Sequence, residues 1–415
     1  MADGLITRAA HAAPPQVDPG GGGRIRRAYD ATPWWARVLV VFALSRVVST
    51  ALLLGFAHVQ ATNPWTLARP GYAAYAQIWD GQWYYIVAMS GYPHSLPLDA
   101  LGHVGQNQWA FLPVYPYIVR GLMIVTGAPF SPVAVFVSVA SAAGCAVVVY
   151  RLVLRFLPAG SALFAVVLFC VAPLSPLLQV DYAEALFLLL LAAALLFLMQ
   201  RRYWLMLLVI AVAAFTRPGV VAFAPALAAL WAVRHVRRAK DPFTIGERCR
   251  LGIVAVASGI LGLAWPLVAA FVTGDLTAYT DTELSWRAVY IGFGKLLPFT
   301  SWVQGANWWL PHGSGVILLA VVVLLFALAF VSPWVRRLPI ELRLWVAAYA
   351  VYLLAVFFPQ SSTFRVLMPM FPLLGALAVP RSKLFRVVLV VAGVAGQWGW
   401  LSICWWVNGY DWTPP

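Results

Sequence analysis

The sequence predicts an all-α polytopic membrane protein with about eleven transmembrane helices. Three observations carry that reading. Of 415 residues, 62% are hydrophobic and only 10% are charged, against about 25% charged in an ordinary soluble domain. The apolar residues fall in long runs separated by short polar breaks. The basic residues collect in those breaks, as loops on one membrane face would require. A soluble enzyme, a secreted disulfide scaffold and a nucleic-acid reader are all excluded by this pattern. The net charge of +14 marks topology and an anionic leaflet, so the expected partner is the lipid bilayer and not nucleic acid.

Residues 1–33 are rich in Gly, Pro and Arg and read as a disordered cytoplasmic tail. The first apolar run, 36–59, has no small-residue cleavage site, so it is expected to remain as a helix. The run 111–126 is short and carries Pro113, Pro116, Arg120 and Gly121. Further runs cover 131–153, 160–178, 184–200, 203–216, 218–235, 251–272, 314–335, 342–358, 365–380 and 384–404. If 111–126 lies in the interface, every later basic cluster falls on the side of Arg24, Arg26 and Arg27. The positive-inside rule makes that side cytoplasmic. The transmembrane domain then spans 34–404, with outer loops 60–130 and 273–313 and an outer C-terminal tail at 405–415. Cys145, Cys170, Cys249 and Cys404 form no CxxC pair, so no metal is expected. No Gly-rich phosphate loop is present, and no cofactor is expected.

The chemistry therefore faces outward. Asp80 lies in an aromatic stretch, Trp79-Asp80-Gly81-Gln82-Trp83-Tyr84, that reads as a short interfacial helix. A carboxylate held there could act as a general base; it could equally be a surface acid. Asp181 and Glu184 have the spacing of a capping box, which would account for both without a function. Arg217 lies between two apolar runs and is a functional candidate by its cost. Its partner could be Glu184, Asp181 or a bound phosphate, since the guanidinium fork suits all three. Arg365 raises the same question. The outer tryptophans form either a membrane belt or a stacking surface for sugars.

Five motifs, in order, carry a resemblance. They are Trp79-Asp80-Gly81-Gln82-Trp83-Tyr84, Ala110-Phe111-Leu112-Pro113-Val114-Tyr115-Pro116, Tyr182-Ala183-Glu184-Ala185-Leu186-Phe187, Thr216-Arg217-Pro218, and Phe364-Arg365-Val366-Leu367-Met368-Pro369-Met370-Phe371-Pro372. Over most of 36–404 the chain resembles the bacterial PIG-V-like (GPI mannosyltransferase II-like) membrane mannosyltransferases, of the GT-C class. The resemblance implies an active site on the outer (periplasmic) face of the bacterial cell membrane. It implies a polyprenyl-phosphate sugar donor, most simply polyprenyl-phosphate-mannose, and a glycolipid, lipoglycan or protein acceptor. Asp80 would be the catalytic base, and Arg217 and Arg365 would bind the donor phosphate. Trp79, Trp83, Tyr84, Gln108, Tyr115, Tyr182, Glu184, Trp286 and Arg287 would line the substrate groove. The competing readings are a flippase for a lipid-linked sugar and a non-catalytic subunit that presents one.

Overall fold

The computed structural model describes residues 30–407. The basic residues Arg24, Arg26 and Arg27, most of the N-terminal tail and the segment 408–415 lie outside the described residues. The chain divides into Met1–Arg37 and Val38–Pro415. Within the first unit, Arg37 donates to the carbonyls of Thr32 and Asp30 at 2.9 and 3.2 Å.

Among the described residues the second unit is helical without a strand; one isolated bridge joins Leu98 and Val104. Four helices are long and apolar enough to cross a membrane: α1 (Trp34–Val59), α5 (Phe130–Val153), α10 (Ile245–Thr273) and the run Lys383–Trp405. Shorter apolar helices are α4 (Val114–Thr126), α6 (Ala159–Val171), α7 (Glu184–Met199), α8 (Tyr203–Ala214), α9 (Phe223–Val236) and α13 (Ser314–Phe330). α14 (Ile340–Val356) completes the set of apolar helices. The first outer loop contains two short helices, α2 (Tyr72–Ala76) and α3 (Asp80–Ser90), and the second contains α11 (Ala278–Ile291) and α12 (Ser301–Trp309). On α13 only Gly315 is buried, and Ile317, Leu318 and Val321 to Leu325 are all exposed. Such a wall of aliphatic side chains requires an apolar neighbour, which a bilayer supplies.

α7 to α10 run up and down between two ends of different chemistry. At one end, Arg201 reaches Asp241 at 2.8 Å and Arg234 reaches the same carboxylate at 3.0 Å. Tyr203 donates to Glu247 at 2.7 Å, beside Arg234. Thr244 accepts from the Glu247 amide at 3.3 Å and starts α10 as a capped helix. The helices return from there to Glu184, Arg217 and Thr273 at the other end.

The run 111–126 is short as expected, and the expected runs 160–178 and 365–380 are interrupted, the first after Val171. α4 has 13 residues, a length of about 20 Å, which falls short of a hydrocarbon core of about 30 Å. Gly127, with φ of 69°, ends it in the left-handed conformation. The expected continuous helix over 365–380 is broken into α15 (Thr363–Val366), a turn at Met368–Met370 and α16 (Leu373–Leu377). Pro369 and Pro372 lack the amide hydrogens that a continuous helix would need. The carbonyls freed by the break are taken up by Trp345, which bonds Pro369 at 3.0 Å, and Tyr349, which bonds Val366 at 2.9 Å. After α17 (Lys383–Trp400) residues 401–407 stay in the folded body, so the expected outer tail at 405–415 does not begin at Trp405, and 408–415 lie outside the described residues. Trp405 is fully buried and exchanges hydrogen bonds with Tyr75 in both directions, each at 3.1 Å.

A buried arginine ties the helices together inside this body. Arg46 of α1 donates to the carbonyls of Ser175 and Cys170 at 2.7 and 2.9 Å and to Gln179 at 3.0 Å. Its loss strands those acceptors out of reach of water. Arg46→Met is expected to lower stability in detergent by about 3 kcal/mol or more. The lipid-facing control Val47→Met should shift it by less than about 0.5 kcal/mol. Thermal unfolding of the two variants checks this; equal midpoints would contradict it.

Candidate active site

Asp80 is the first residue of α3, and three features hold it there. The preceding Trp79 has φ of 61°, a conformation that costs a non-glycine residue energy and persists only where packing enforces it. Its indole N–H donates to the Cys404 carbonyl at 3.0 Å, and its ring lies 5.5 Å from Trp65. The Asp80 amide donates to the Tyr182 hydroxyl at 3.2 Å. Gly81 lets this turn settle on the chain at Asp181: a Cβ there would meet the Asp181 Cβ at 3.3 Å. The Asp181 amide also bonds the Ala76 carbonyl at 3.2 Å, tying the same segment to the end of α2.

Four charges meet at this point. Arg365, on α15, donates to Asp80 and lies 3.5 Å from Glu184. Arg217, just beyond α8, lies 2.7 Å from Glu184. The order is therefore Asp80, Arg365, Glu184, Arg217, with alternating sign. The side chains retain between 4% and 16% of their accessible surface, so the cluster borders a cleft and is not sealed in a core. Neither Glu184 oxygen makes an aligned hydrogen bond, and the Arg365 Nε–H has no acceptor among the described residues. Arg365 also lies over the Tyr182 ring, 5.5 Å from its centre.

The capping-box expectation for Asp181 and Glu184 does not hold. The residue before α7 is Ala183, without a side-chain cap. Asp181 is instead fully buried under Gly81. Burial pushes its carboxyl well above the usual carboxylate range, with Ser131 pulling weakly the other way. Glu184 is the acid that pairs.

The remaining expected residues sort by position. Trp83 stacks on Phe111 at 5.5 Å and meets Trp286 edge-on at 5.6 Å. Tyr84 and Tyr115 lie behind these rings in the core, 5.1 Å apart. Tyr115 bonds Ser138 at 3.0 Å, and Ser138 donates to the Tyr182 carbonyl at 3.1 Å. Both tyrosines thus support the loop that carries Glu184. Gln108 is half-buried at the start of a short turn beneath α11. Arg287 is buried and braces the outer loop through Ser301 at 3.1 Å and the carbonyls of Gly294 and Lys295.

Sequence reasoning left out Glu283. It lies on α11 with Tyr279 as its hydrogen-bond partner, and Arg217, Asp80 and Arg365 all act on it electrostatically. A signal was present: Glu283-x-x-Trp286 repeats the spacing of Asp80-x-x-Trp83. An open apolar groove of about 650 Å³ runs between α4 and α8, lined by Pro113, Tyr117, Ile118, Val212 and Phe215 among others. Its lining includes Phe215, two residues along the chain from Arg217, whose carbonyl accepts from the Val114 amide at 3.0 Å.

No family model matches the chain, and no curated protein matches it. Solved structures that resemble the chain include two forms of one protein. One is ArnT from Cupriavidus metallidurans bound to undecaprenyl phosphate, at 13% identity and a TM-score of 0.49, over 85% of this chain and 62% of that one. The other is the same protein in the apo state, at 15% identity and a TM-score of 0.37, over 87% of this chain and 59% of that one. This chain spans about three-fifths of the length of both. The superposition is loose.

The ion pairs set a stability test. Glu184→Gln and Arg217→Met should each cost about 3 kcal/mol, because each leaves a charge in the cleft without its partner. The double variant should recover at least about 1 kcal/mol relative to the sum. A double-mutant cycle in detergent measures this; simple additivity would contradict the pairing.

Proposed function

We propose that this chain is a membrane glycosyltransferase of the GT-C class, resembling the PIG-V-like mannosyltransferases. It transfers a sugar, most simply mannose, from a polyprenyl-phosphate donor to a hydroxyl of a cell-envelope glycolipid, lipoglycan or protein. The single observation that supports this best is the alternating cluster of Asp80, Arg365, Glu184 and Arg217, together with an apolar groove whose lining includes Phe215, two residues along the chain from Arg217. A lipid phosphate needs both halves: cationic donors for its head and an apolar path for its chain. The reaction face is the outer one, with the N-terminus in the cytoplasm.

The mechanism is a single displacement with inversion at the anomeric carbon. The acceptor oxygen bonds to that carbon as the bond to the phosphate oxygen breaks. Asp80 accepts the acceptor's proton, and the polyprenyl phosphate leaves with the bonding electron pair. Arg217 and Arg365 meet the negative charge that grows on the leaving phosphate. Each has five N–H donors, and the bonds to Asp80 and Glu184 use only some of them. Arg365 links the two halves, since a phosphate that draws its guanidinium frees Asp80 to act. Trp83, Phe111 and Trp286 offer ring faces for the sugar.

Sugar transfer by the full chain in lipid nanodiscs tests this. Offered polyprenyl-phosphate-mannose and membrane glycolipids, the wild type should form a mannosylated lipid of inverted configuration. Asp80→Asn should lose about a thousandfold in turnover while still binding polyprenyl phosphate. Arg217→Gln and Arg365→Gln should each weaken that binding by about tenfold. Near-normal turnover in Asp80→Asn would move the base elsewhere. Passage of the labelled donor across sealed vesicles without transfer would replace the enzyme by a flippase.

A further inference from the structure

The two outer segments meet through matching helix faces. Asp80 and Trp83 are three residues apart on α3, and Glu283 and Trp286 are three apart on α11, so each pair shares a face. Trp83 and Trp286 pack edge-on at 5.6 Å, and both lie against Phe111. The contact is fixed from below by Asn107, which donates to Thr282 at 2.8 Å. Glu283 is thereby held where Asp80, Arg217 and Arg365 act on it electrostatically, and it forms no ion pair among the described residues. It lies deep in the protein envelope yet keeps accessible surface, as a group lining a cleft does. The indole N–H of Trp286 has no acceptor among the described residues. A carboxylate acceptor and an indole donor, one turn apart beside aromatic faces, complement the hydroxyls of a hexose.

We propose that Glu283 and Trp286 form the sugar-recognition pair of this site, the carboxylate accepting from hydroxyls of the donor hexose and the indole N–H donating to one. The proposal rests on the glycosyltransferase reading and deepens it. It assigns the head of the lipid to Arg217 and Arg365 and the sugar to α11. The groups facing Glu283 are Tyr279 on its own helix, Tyr352 on α14, Arg217, Asp80 and Arg365. Burial raises the Glu283 carboxyl to about 7, with Tyr279 and Arg217 pulling it down. An acid raised in this way is protonated below that pH and anionic above it. Acceptance from sugar hydroxyls is strongest in the anion, so sugar recognition strengthens as pH rises through about 7.

The test compares two phosphodiesters of equal charge, polyprenyl-phosphate-mannose and a sugar-free polyprenyl methyl phosphate, bound to the full chain in nanodiscs. The ratio of their affinities isolates the sugar. In the wild type the sugar-bearing lipid should bind more tightly, and the ratio should rise between about pH 6 and about pH 8. Glu283→Gln should reduce the ratio by about tenfold and flatten its pH dependence, any change in phosphate binding being common to both ligands and cancelling in the ratio. Trp286→Phe, which keeps the ring packing, should reduce the ratio by severalfold. Equal ratios in wild type and both variants would overturn the proposal, as would a wild-type ratio of one. Failure of the wild type to bind either lipid would overturn the glycosyltransferase reading, and this proposal with it.

Discussion

Four charged side chains from four separate segments have to neutralise one another inside a largely apolar body. Removing one carboxylate or guanidinium from water costs several kcal/mol, and only an opposite charge at short range offsets it. The alternating order of Asp80, Arg365, Glu184 and Arg217 meets that demand with no net charge. It leaves the guanidinium forks with donors to spare. A cluster that is neutral when empty and can still donate toward a phosphate is stable without ligand and able to bind one.

The rest of the outer half serves to bring those segments together. The core around Leu53, Tyr75, Ile78, Tyr182 and Trp405 holds Trp79 in its strained conformation. The core around Tyr84, Phe111, Tyr115, Val119 and Phe130 backs the other side of α3. Asp80 is thus clamped between two apolar clusters at the start of a helix. The proline break after α15 matters for the same reason: a continuous helix over 365–380 would pair the backbone groups that now bond Trp345 and Tyr349.

The helices were legible from hydropathy because the apolar runs of α1, α5 and α10 are long. The break at Pro369 and Pro372 was visible as residues but read as one run, since mean hydropathy outweighs two prolines in such a window. The partner of Arg217 stayed open between Glu184, Asp181 and phosphate, and packing decides it. Asp181 is pressed beneath Gly81 and Glu184 is turned toward the arginines. The pairing of Asp80 with Arg365 joins residues 285 positions apart, a separation across which a single sequence carries no register. Glu283 carries no mark in the sequence beyond its spacing to Trp286, which matches that of Asp80 to Trp83.

Structure determination of the full chain with a short-chain polyprenyl phosphate tests the account most directly. The phosphorus should lie between Arg217 and Arg365, with the lipid tail in the groove by Tyr117 and Phe215 and with Arg365 drawn away from Asp80. A phosphate bound elsewhere, with the Asp80–Arg365 pair intact, would contradict it.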